Sequence, residues 1–396
     1  MRPEKLIFQA FGPYLQKQVL NFQELKGRNL LLLHGPNASG KTILLDAVLF
    51  ALFGLSDTRG VRKGTRELKC LHADLNLPSE VMLDFSAGGE RYRVTRWPEQ
   101  ERPKKSGPGT TWSLADAVLR RRSGVNSEQE EGELITRGWS RVNRAVENIL
   151  GAGKYACRDM IMFPDPAGGS LFLQGAGERK ETIGSLFQTG RLAFLEQFFS
   201  RYAPTGRENS SASRQAEKSL LEDCARALSG QNRLGLNLEA YVQRKIWQDI
   251  LREGNACLEG LQFSSFRFRV PQLDRGTGPE EEFFELMLVE QDAGVPLKAD
   301  ALSYGMLSLL MVALQVGLAS ALNAYPGAAR AESIFFDALL DTLDQKTRDR
   351  FVSNQAVLQK SGLLLVFSSI DSGLAEHFEA ELAVSADERT SRVNLC

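Results

Sequence analysis

Hydrophobic positions in the first hundred residues alternate between short strand-like runs and the spacing of one helical face. A leucine-rich run leads into a glycine-rich segment, and beyond it apolar side chains recur every three or four positions. Two later apolar runs flank Gly88-Gly89, a pair typical of a tight hairpin turn. The pattern therefore predicts strands at 5–8, 19–22 and 29–33, a helix over 42–53, and an antiparallel hairpin annex formed by 80–85 and 91–96.

The rest of the chain is first helical and then alternates again. Its pattern predicts helices over 139–150, within 178–202 and over 238–261, followed by strands at 333–337 and 363–367. Residues 203–213 are small, polar and turn-rich, which indicates a linker between two halves. Because the chain opens and closes with α/β patterns, we expect the core strands of both halves to complete one sheet.

Composition indicates a globular protein large enough for two or three domains, with 396 residues and 43% hydrophobic content. The 48 Lys and Arg residues nearly cancel the 49 Asp and Glu residues, so any nucleic-acid surface must be local. Five cysteines without a Cys-x-x-Cys pair argue against a disulfide framework or a zinc site and favour a reducing cytoplasm. The apolar run at 306–322 is short for a membrane span and contains Ser308, Gln315 and Ser320, so we expect a buried core helix and no membrane.

A phosphate-loop motif stands between a predicted strand and a predicted helix. The residues that fit the pattern G-x-x-x-x-G-K-[ST] are Gly35, Pro36, Asn37, Ala38, Ser39, Gly40, Lys41 and Thr42. Glycines let backbone amides turn toward a phosphate, the lysine reaches the β- and γ-phosphates, and the threonine hydroxyl is a Mg²⁺ ligand. The alternative is an ordinary glycine-containing turn with an incidental lysine. The complete motif in its expected context favours binding of ATP and Mg²⁺.

The surroundings of this motif resemble one family of P-loop proteins. Residues 33–42, followed by 44–54, look like the N-terminal lobe of the SbcC family, the ATPase subunits of bacterial SbcCD nucleases, which are related to SMC proteins. The likeness continues through 11–14, 72–74 and 92–105. In the C-terminal half, 302–306 stands where the family has its signature, 334–337 where it has the Walker B strand, and 342–344 where it has the D-loop.

This resemblance implies an α/β fold, an ABC-type P-loop ATPase head assembled from N- and C-terminal lobes, with an antiparallel β annex and short helical coil stubs. The implied domains are an N-terminal lobe at 1–202, a linker or short stub at 203–236 and a C-terminal lobe at 237–396. The family places a long coiled coil with a zinc hook between its lobes. Either a short linker has replaced those coils or the chain is a natural short-armed relative, and neither case predicts zinc-hook tethering.

The resemblance also implies the nucleotide site. Lys41 and Asp337 stand at catalytic positions, and Thr42 and Asp337 at those of Mg²⁺ ligands. The implied ATP-binding residues are Gly35, Asn37, Ala38, Ser39, Gly40, Lys41, Thr42, Ser303, Gly305 and Asp344. In the family, the signature segment of one head closes over the γ-phosphate held by the other, which predicts an ATP-dependent homodimer of heads.

Several positions depart from the family pattern in the direction of weaker hydrolysis. Ala338 stands where the family has the Walker B glutamate, and loss of such a general base costs about 10² to 10⁴ in rate. Asp341 could substitute for it only if the loop were rearranged. Ser369 stands at the switch-histidine position and Asp165 at the Q-loop glutamine, although Pro166 could move that loop. Tyr304 and Met306 replace a signature glycine and glutamate. An alignment error is the alternative, but each residue lies at its proper distance from recognisable neighbours.

Basic residues cluster in the N-terminal half at Arg62-Lys63 with Arg66 and Lys69, at Lys104-Lys105 and at Arg120-Arg121-Arg122. Such clusters bind phosphates without sequence preference, and the alternative is a solvated surface balanced by acidic neighbours. The resemblance favours at least one contact with double-stranded DNA ends, and it implies an SbcD-like nuclease partner and a cytoplasmic, nucleoid-associated location.

The sequence thus predicts the ATP-binding head of an SbcC-like complex for double-strand-break repair, with impaired hydrolysis. A rival from another class is a non-hydrolysing, nucleotide-gated structural DNA clamp. A P-loop kinase is a more distant rival, and the signature-like Leu302-Ser303 argues against it.

Overall fold

The structure is a computed structural model that describes residues 1–396 except 26, 56–64, 123–131, 164–170, 203–211, 271–279, 292–293, 295, 298–301, 360, 388–389 and 396. In the described part, the strands are β1 (Arg2–Gln9), β2 (Gln18–Asn21), β3 (Leu30–His34), β4 (Glu80–Ala87), β5 (Glu90–Trp97), β6 (Gln100–Pro103), β7 (Thr110–Ser113), β8 (Asp116–Arg122), β9 (Glu133–Arg137), β10 (Met162–Phe163), β11 (Phe266–Arg269), β12 (Met287–Glu290), β13 (Pro296–Leu297), β14 (Ser333–Phe336), β15 (Leu364–Ser369), β16 (Ala380–Ala386) and β17 (Ser391–Leu395). The helices are α1 (Lys41–Phe53), α2 (Trp139–Leu150), α3 (Lys154–Ile161), α4 (Ala176–Phe187), α5 (Leu192–Tyr202), α6 (Ala212–Leu228), α7 (Leu238–Gly260), α8 (Tyr304–Ala324), α9 (Gln345–Asn354) and α10 (Ala356–Gln359).

The central sheet has the strand order β10-β14-β15-β3-β16-β17 and is parallel except for β17. Strands β3 and β10 come from the first half of the chain and the others from the second half, so the predicted completion of one sheet by both halves is confirmed. The sheet is covered on both faces, which is why β14 and β15 are mostly apolar and every one of their residues is buried.

The annex is an antiparallel sheet of order β2-β1-β4-β5-β8-β9. The predicted hairpin is confirmed, because β4 pairs with β5 from Ala87↔Glu90 to Val81↔Arg96. Its turn is formed by Gly88 and Gly89, whose φ values of 63° and 86° lie in the left-handed region that glycine adopts without a steric penalty. Helix α1 packs against β4 and β5 and so joins this sheet to the phosphate loop.

Helices α7 and α8 form the most extensively packed helix pair. A Cβ on Gly317 would lie 2.4 Å from the carbonyl oxygen of Ile250, so only glycine permits this approach. Helix α8 contains the apolar run at 306–322 and is mostly buried, which confirms the expected core helix. Among the described residues it is the one helix long and apolar enough to cross a membrane, a test that buried core helices also pass.

One expectation about the middle of the chain is confirmed and another needs correction. The helical zone at 178–202 is confirmed and consists of two helices, α4 and α5. They are separated by Gln188 with φ 52° and a short 3-10 turn at Thr189–Arg191. The predicted linker at 203–213 ends earlier than expected, since Ala212 and Ser213 already belong to α6, which packs against α5. The helix-forming residues that follow Ser213 outweigh its turn-forming character. Residues 203–211 lie outside the described part, and the domain boundaries remain predictions.

Candidate nucleotide-binding site

The phosphate loop connects the end of β3 to the start of α1, as the motif predicted. Gly40 caps α1 with φ 109°, and a Cβ there would lie 2.9 Å from the hydroxyl oxygen of Tyr14. A Cβ on Gly35 would lie 2.2 Å from the carbonyl oxygen of Val384. The Tyr14 hydroxyl donates a 3.1 Å hydrogen bond to the carbonyl of Gly40. The loop is therefore pressed against β16 and the Tyr14 segment, and both glycines are required by these close approaches.

Lys41 and Ser39 give this loop the character of an anion site. The Lys41 ammonium donates to the carbonyl oxygens of Gly35 at 2.7 Å and Pro36 at 2.9 Å. Burial lowers the pKa of Lys41, and the nearby charges of Asp341 and Asp337 act in the opposite direction. Ser39 Oγ is buried and has no hydrogen-bond partner among the described residues. An unsatisfied hydroxyl, an ammonium and the amides of a helix N-terminus are the donors that a phosphate requires, so the residues present fit a nucleotide.

Thr42 and Asp337, the two predicted Mg²⁺ ligands, are in direct contact. The Thr42 hydroxyl donates a 2.8 Å hydrogen bond to Oδ2 of Asp337. Asp337 directly follows β14, and Thr42 lies at the start of α1, so the sheet order places them at the same edge. Searched over its described residues, the chain has no cluster of three or more His, Cys, Asp and Glu side chains suited to a metal. One hydroxyl and one carboxylate instead fit Mg²⁺, which is bound by few protein oxygens together with substrate phosphates.

Ser368 is a site residue that sequence reasoning missed. Its hydroxyl donates a 2.7 Å hydrogen bond to Oδ1 of Asp337 and accepts one of 2.7 Å from the backbone amide of Ala338. The carboxylate of Asp337 is thus fixed by hydroxyls on both oxygens, Thr42 on one and Ser368 on the other. The only sequence signal was its position beside Ser369, at the end of a strand that neighbours Walker B.

Ser369 and Asp341 form a second contact at this edge. The Ser369 hydroxyl donates a 2.6 Å hydrogen bond to Oδ1 of Asp341, and the amide of Ile370 donates to the same carboxylate at 3.2 Å. The carbonyl of Ser369 accepts a 3.3 Å bond from the amide of Gly35. The switch position is therefore tied both to the loop after Walker B and to the phosphate loop.

Ala338 brings only a methyl group to the position at which the resemblance predicts a Walker B glutamate. Its backbone has φ 52°, a left-handed conformation that is uncommon outside glycine, and its side chain is half-buried. Asp165, the predicted Q-loop residue, lies outside the described residues.

The signature and D-loop segments lie together, each at the start of a helix. Ser303 caps α8 by accepting a 3.2 Å hydrogen bond from the amide of Met306, and Asp344 caps α9 by accepting one of 3.0 Å from Thr347. A Cβ on Gly305 would lie 2.8 Å from the carbonyl oxygen of Thr342, so this glycine allows α8 to contact the D-loop. Tyr304 is half exposed at the same end of α8.

Comparisons of sequence and of fold both find similar proteins. The family model described as an AAA domain matches residues 5–153. The SbcC subunit of the SbcCD nuclease of Vibrio cholerae serotype O1 is 33% identical over 221 residues, which cover 56% of this chain and 21% of the relative. The corresponding protein of Deinococcus radiodurans is 29% identical over 201 residues, 50% of this chain and 20% of its own length. The Smc head bound to the C-winged helix domain of ScpA superposes with TM-score 0.60 at 15% identity, covering 100% of this chain and 98% of that one.

The chain is similar in sequence to SbcC proteins and has the fold of Smc heads. A second structure, the Pyrococcus furiosus Smc head with an extended coiled coil, also gives TM-score 0.60, at 16% identity over 100% of this chain and 96% of that one. At such identities these structures establish the fold alone. The chain spans about a fifth of the length of the curated relatives it matches.

The first basic cluster is partly engaged within the protein. Arg62-Lys63 lie outside the described residues. Arg66 forms a 2.6 Å ion pair with Glu99, and its guanidinium lies 4.5 Å from the ring centroid of Trp112. Lys69 donates a long, 3.5 Å hydrogen bond to a backbone carbonyl, and burial lowers its pKa. These contacts favour a structural role for Arg66.

The other two clusters differ from each other. Arg122 forms a 2.7 Å ion pair with the buried carboxylate of Asp84, and Arg120 donates to a backbone carbonyl, so both help to hold the annex together. Arg121 and Lys104-Lys105 are exposed. The exposed cations are the better candidates for phosphate contacts.

Proposed function

We propose that this chain is the ATP-binding head of an SbcC-like complex in which two heads close over ATP and Mg²⁺ and thereby control DNA-end processing by an SbcD-like nuclease. Hydrolysis in this head is slow. The observation that carries the proposal is the contrast at one sheet edge: Thr42 and Asp337 are in hydrogen-bond contact, whereas Ala338 has no carboxylate. This contrast supports nucleotide binding combined with slow hydrolysis.

In this proposal, Lys41 and the phosphate-loop amides bind the phosphates, and Thr42 and Asp337 hold the cation. When bound, Mg²⁺ neutralises phosphate charge. Ser303, Gly305 and Asp344 lie at the start of α8 and α9, where they would contact a nucleotide held by a second head. Association with DNA ends, with the nuclease and with the cytoplasmic nucleoid belongs to the same proposal and is supported by the relatives whose names place them in the SbcCD nuclease.

The test compares the chain with its Ala338→Glu variant. Alanine already carries a Cβ at this left-handed position, so glutamate adds little backbone strain. We expect both proteins to bind ATP with similar affinity, measured by calorimetry, and the variant to hydrolyse it at least about 10²-fold faster. Ala338→Gln, which has the same shape without a base, is the matched control and should stay slow. Equal and rapid turnover in all three proteins would refute the proposal.

The absence of a carboxylate at Ala338 also favours a second candidate, a non-hydrolysing clamp in which ATP only holds two heads together. Light scattering with ATP and Mg²⁺ separates the two functions. Dimers that persist without release of ADP indicate the clamp, whereas dimers that dissociate as ADP accumulates indicate a slow ATPase.

A further inference from the structure

Asp341 places a second carboxylate at the nucleotide site. It lies in the 3-10 helix Leu340–Thr342, just beyond Walker B. Its Oδ1 accepts a 2.6 Å hydrogen bond from the Ser369 hydroxyl, and both of its oxygens lie 3.2 Å from the backbone nitrogen of Ile370. Ser369 Oγ in turn accepts from the amide of Asp371 at 3.1 Å. These contacts fix the carboxylate in one position on the switch segment.

A chain of hydrogen bonds connects this carboxylate to the phosphate loop. Asp341 is bonded to Ser369, whose carbonyl oxygen accepts a 3.3 Å hydrogen bond from the amide of Gly35. The carbonyl oxygen of Gly35 in turn accepts from the Lys41 ammonium at 2.7 Å. Asp341 and Asp337 have different surroundings. Asp337 contacts the hydroxyls of Thr42 and Ser368, as suits a metal ligand, whereas Asp341 is held by the switch segment. A phosphate-loop lysine lies at the β- and γ-phosphates, so the charge of Asp341 is near the end of the phosphate chain.

We propose that Asp341 is a specificity-determining residue of this site, whose fixed negative charge weakens the preference for a nucleoside triphosphate over a diphosphate. The γ-phosphate adds negative charge at the lysine end of the loop, and like charges at short range repel. A diphosphate lacks that group and experiences less of the repulsion. This inference rests on the proposed function, because it requires that the loop bind a nucleotide.

The experiment measures the dissociation constants of MgATP and MgADP by calorimetry for the unaltered chain, Asp341→Asn and Asp341→Glu. Asparagine keeps the size and most of the hydrogen bonding but removes the charge. We expect Asp341→Asn to raise the ratio of the dissociation constant of MgADP to that of MgATP about tenfold. Coulomb's law gives an effect of this size for one charge several ångströms away in a partly solvated site. Asp341→Glu keeps the charge and should leave the ratio within about threefold of that of the unaltered chain.

Each other outcome is decisive. A ratio that is unchanged in Asp341→Asn, with nucleotide still bound, overturns this inference and leaves the proposed function standing. Equal rises in both variants would show that geometry and not charge sets the ratio, which also overturns it. A ratio that is unchanged while residual turnover falls about 10²-fold would instead make Asp341 a general base. No nucleotide binding by any of the three folded proteins would refute the proposed function itself. Thermal unfolding of each variant confirms that it is folded.

Discussion

Arg96 anchors the end of the helix that begins with Lys41 and Thr42, and its replacement by methionine tests how firmly that helix is held. The side chain is fully buried. It donates to the carbonyl oxygens of Ala51 at 2.6 Å and Leu52 at 2.8 Å, in the last turn of α1, and to Oδ1 of Asn143 at 2.7 Å. Burial lowers the pKa of Arg96 to about 9, so the guanidinium is still charged at neutral pH.

The expected loss of stability follows from the polar groups that the substitution leaves without a partner. Methionine fills most of the volume but cannot donate. Two buried carbonyl oxygens then lose their partner at about 1–3 kcal/mol each, and the partly buried Oδ1 of Asn143 loses less. Release of the buried charge offsets part of this loss, because Nη1 of Arg96 has no hydrogen-bond partner within the described part of the chain. We therefore expect Arg96→Met to lower the free energy of unfolding by about 3 kcal/mol.

Urea denaturation followed by circular dichroism measures this change. Arg137→Met is the matched control, because Arg137 lies in the same sheet and pairs with Asp116 at 2.6 Å, but its side chain is 69% exposed. That variant should change stability by less than about 1 kcal/mol. A loss below about 1 kcal/mol in Arg96→Met, with an unchanged denaturant slope, would refute the view that these bonds anchor α1.

Two further predictions concern a partly buried asparagine and two buried cysteines. Asn255 exchanges two hydrogen bonds with the backbone of Phe268 on β11, at 2.8 and 3.0 Å. Asn255→Ala should therefore lower the free energy of unfolding, measured by urea denaturation, by about 1–3 kcal/mol, and Asn255→Asp, which keeps only the acceptor, should lower it by a smaller amount. Equal stability of all three proteins would contradict this prediction. Burial raises the pKa of both Cys157 and Cys257 from 9.0 to about 12, so neither thiol should react with a disulfide reagent at pH 8 until the chain unfolds. Because the thiols of the unfolded chain ionise at lower pH than those of the folded chain, the free energy of unfolding should also fall as pH rises above about 9. Alkylation of either cysteine in the folded chain, detected by mass spectrometry, would contradict their burial.

The phosphate loop and the strands around it could be predicted because their signals are local. The leucine run of β3, the glycines and the periodicity of α1 all lie within 29–53, and the structure keeps that order. The break between α4 and α5 could not be predicted in the same way. There the Thr189 hydroxyl donates to Glu239 at 2.9 Å and accepts from Gln243 at 2.7 Å, both on α7, and no pattern within 178–202 encodes those partners.

The partners of charged residues likewise could not be predicted from the sequence. Arg122 was grouped with its neighbours as a basic cluster, but its partner Asp84 lies 38 positions earlier and is brought to it by the pairing of β4, β5 and β8. The role of Ser368 likewise depends on β14 and β15 being neighbours in the sheet. Sequence reasoning could name the chemical groups of the candidate site. Which of these groups contact each other could be known only once the order of the strands in the sheet was known.

The side chain of Ala338 is separate from the hydrogen bonds that hold Asp337. The backbone amide of Ala338 is held by Ser368, and the same hydroxyl fixes Asp337, so the position of Walker B depends on residue 368 and on the backbone at 338. The methyl group of Ala338 is half-buried and takes no part in this hydrogen bonding. A change of side chain there alters one functional group and leaves the contact of Thr42 with Asp337 intact. We therefore expect a carboxylate introduced at 338 to change hydrolysis without any rearrangement of the fold or of the contact between Thr42 and Asp337.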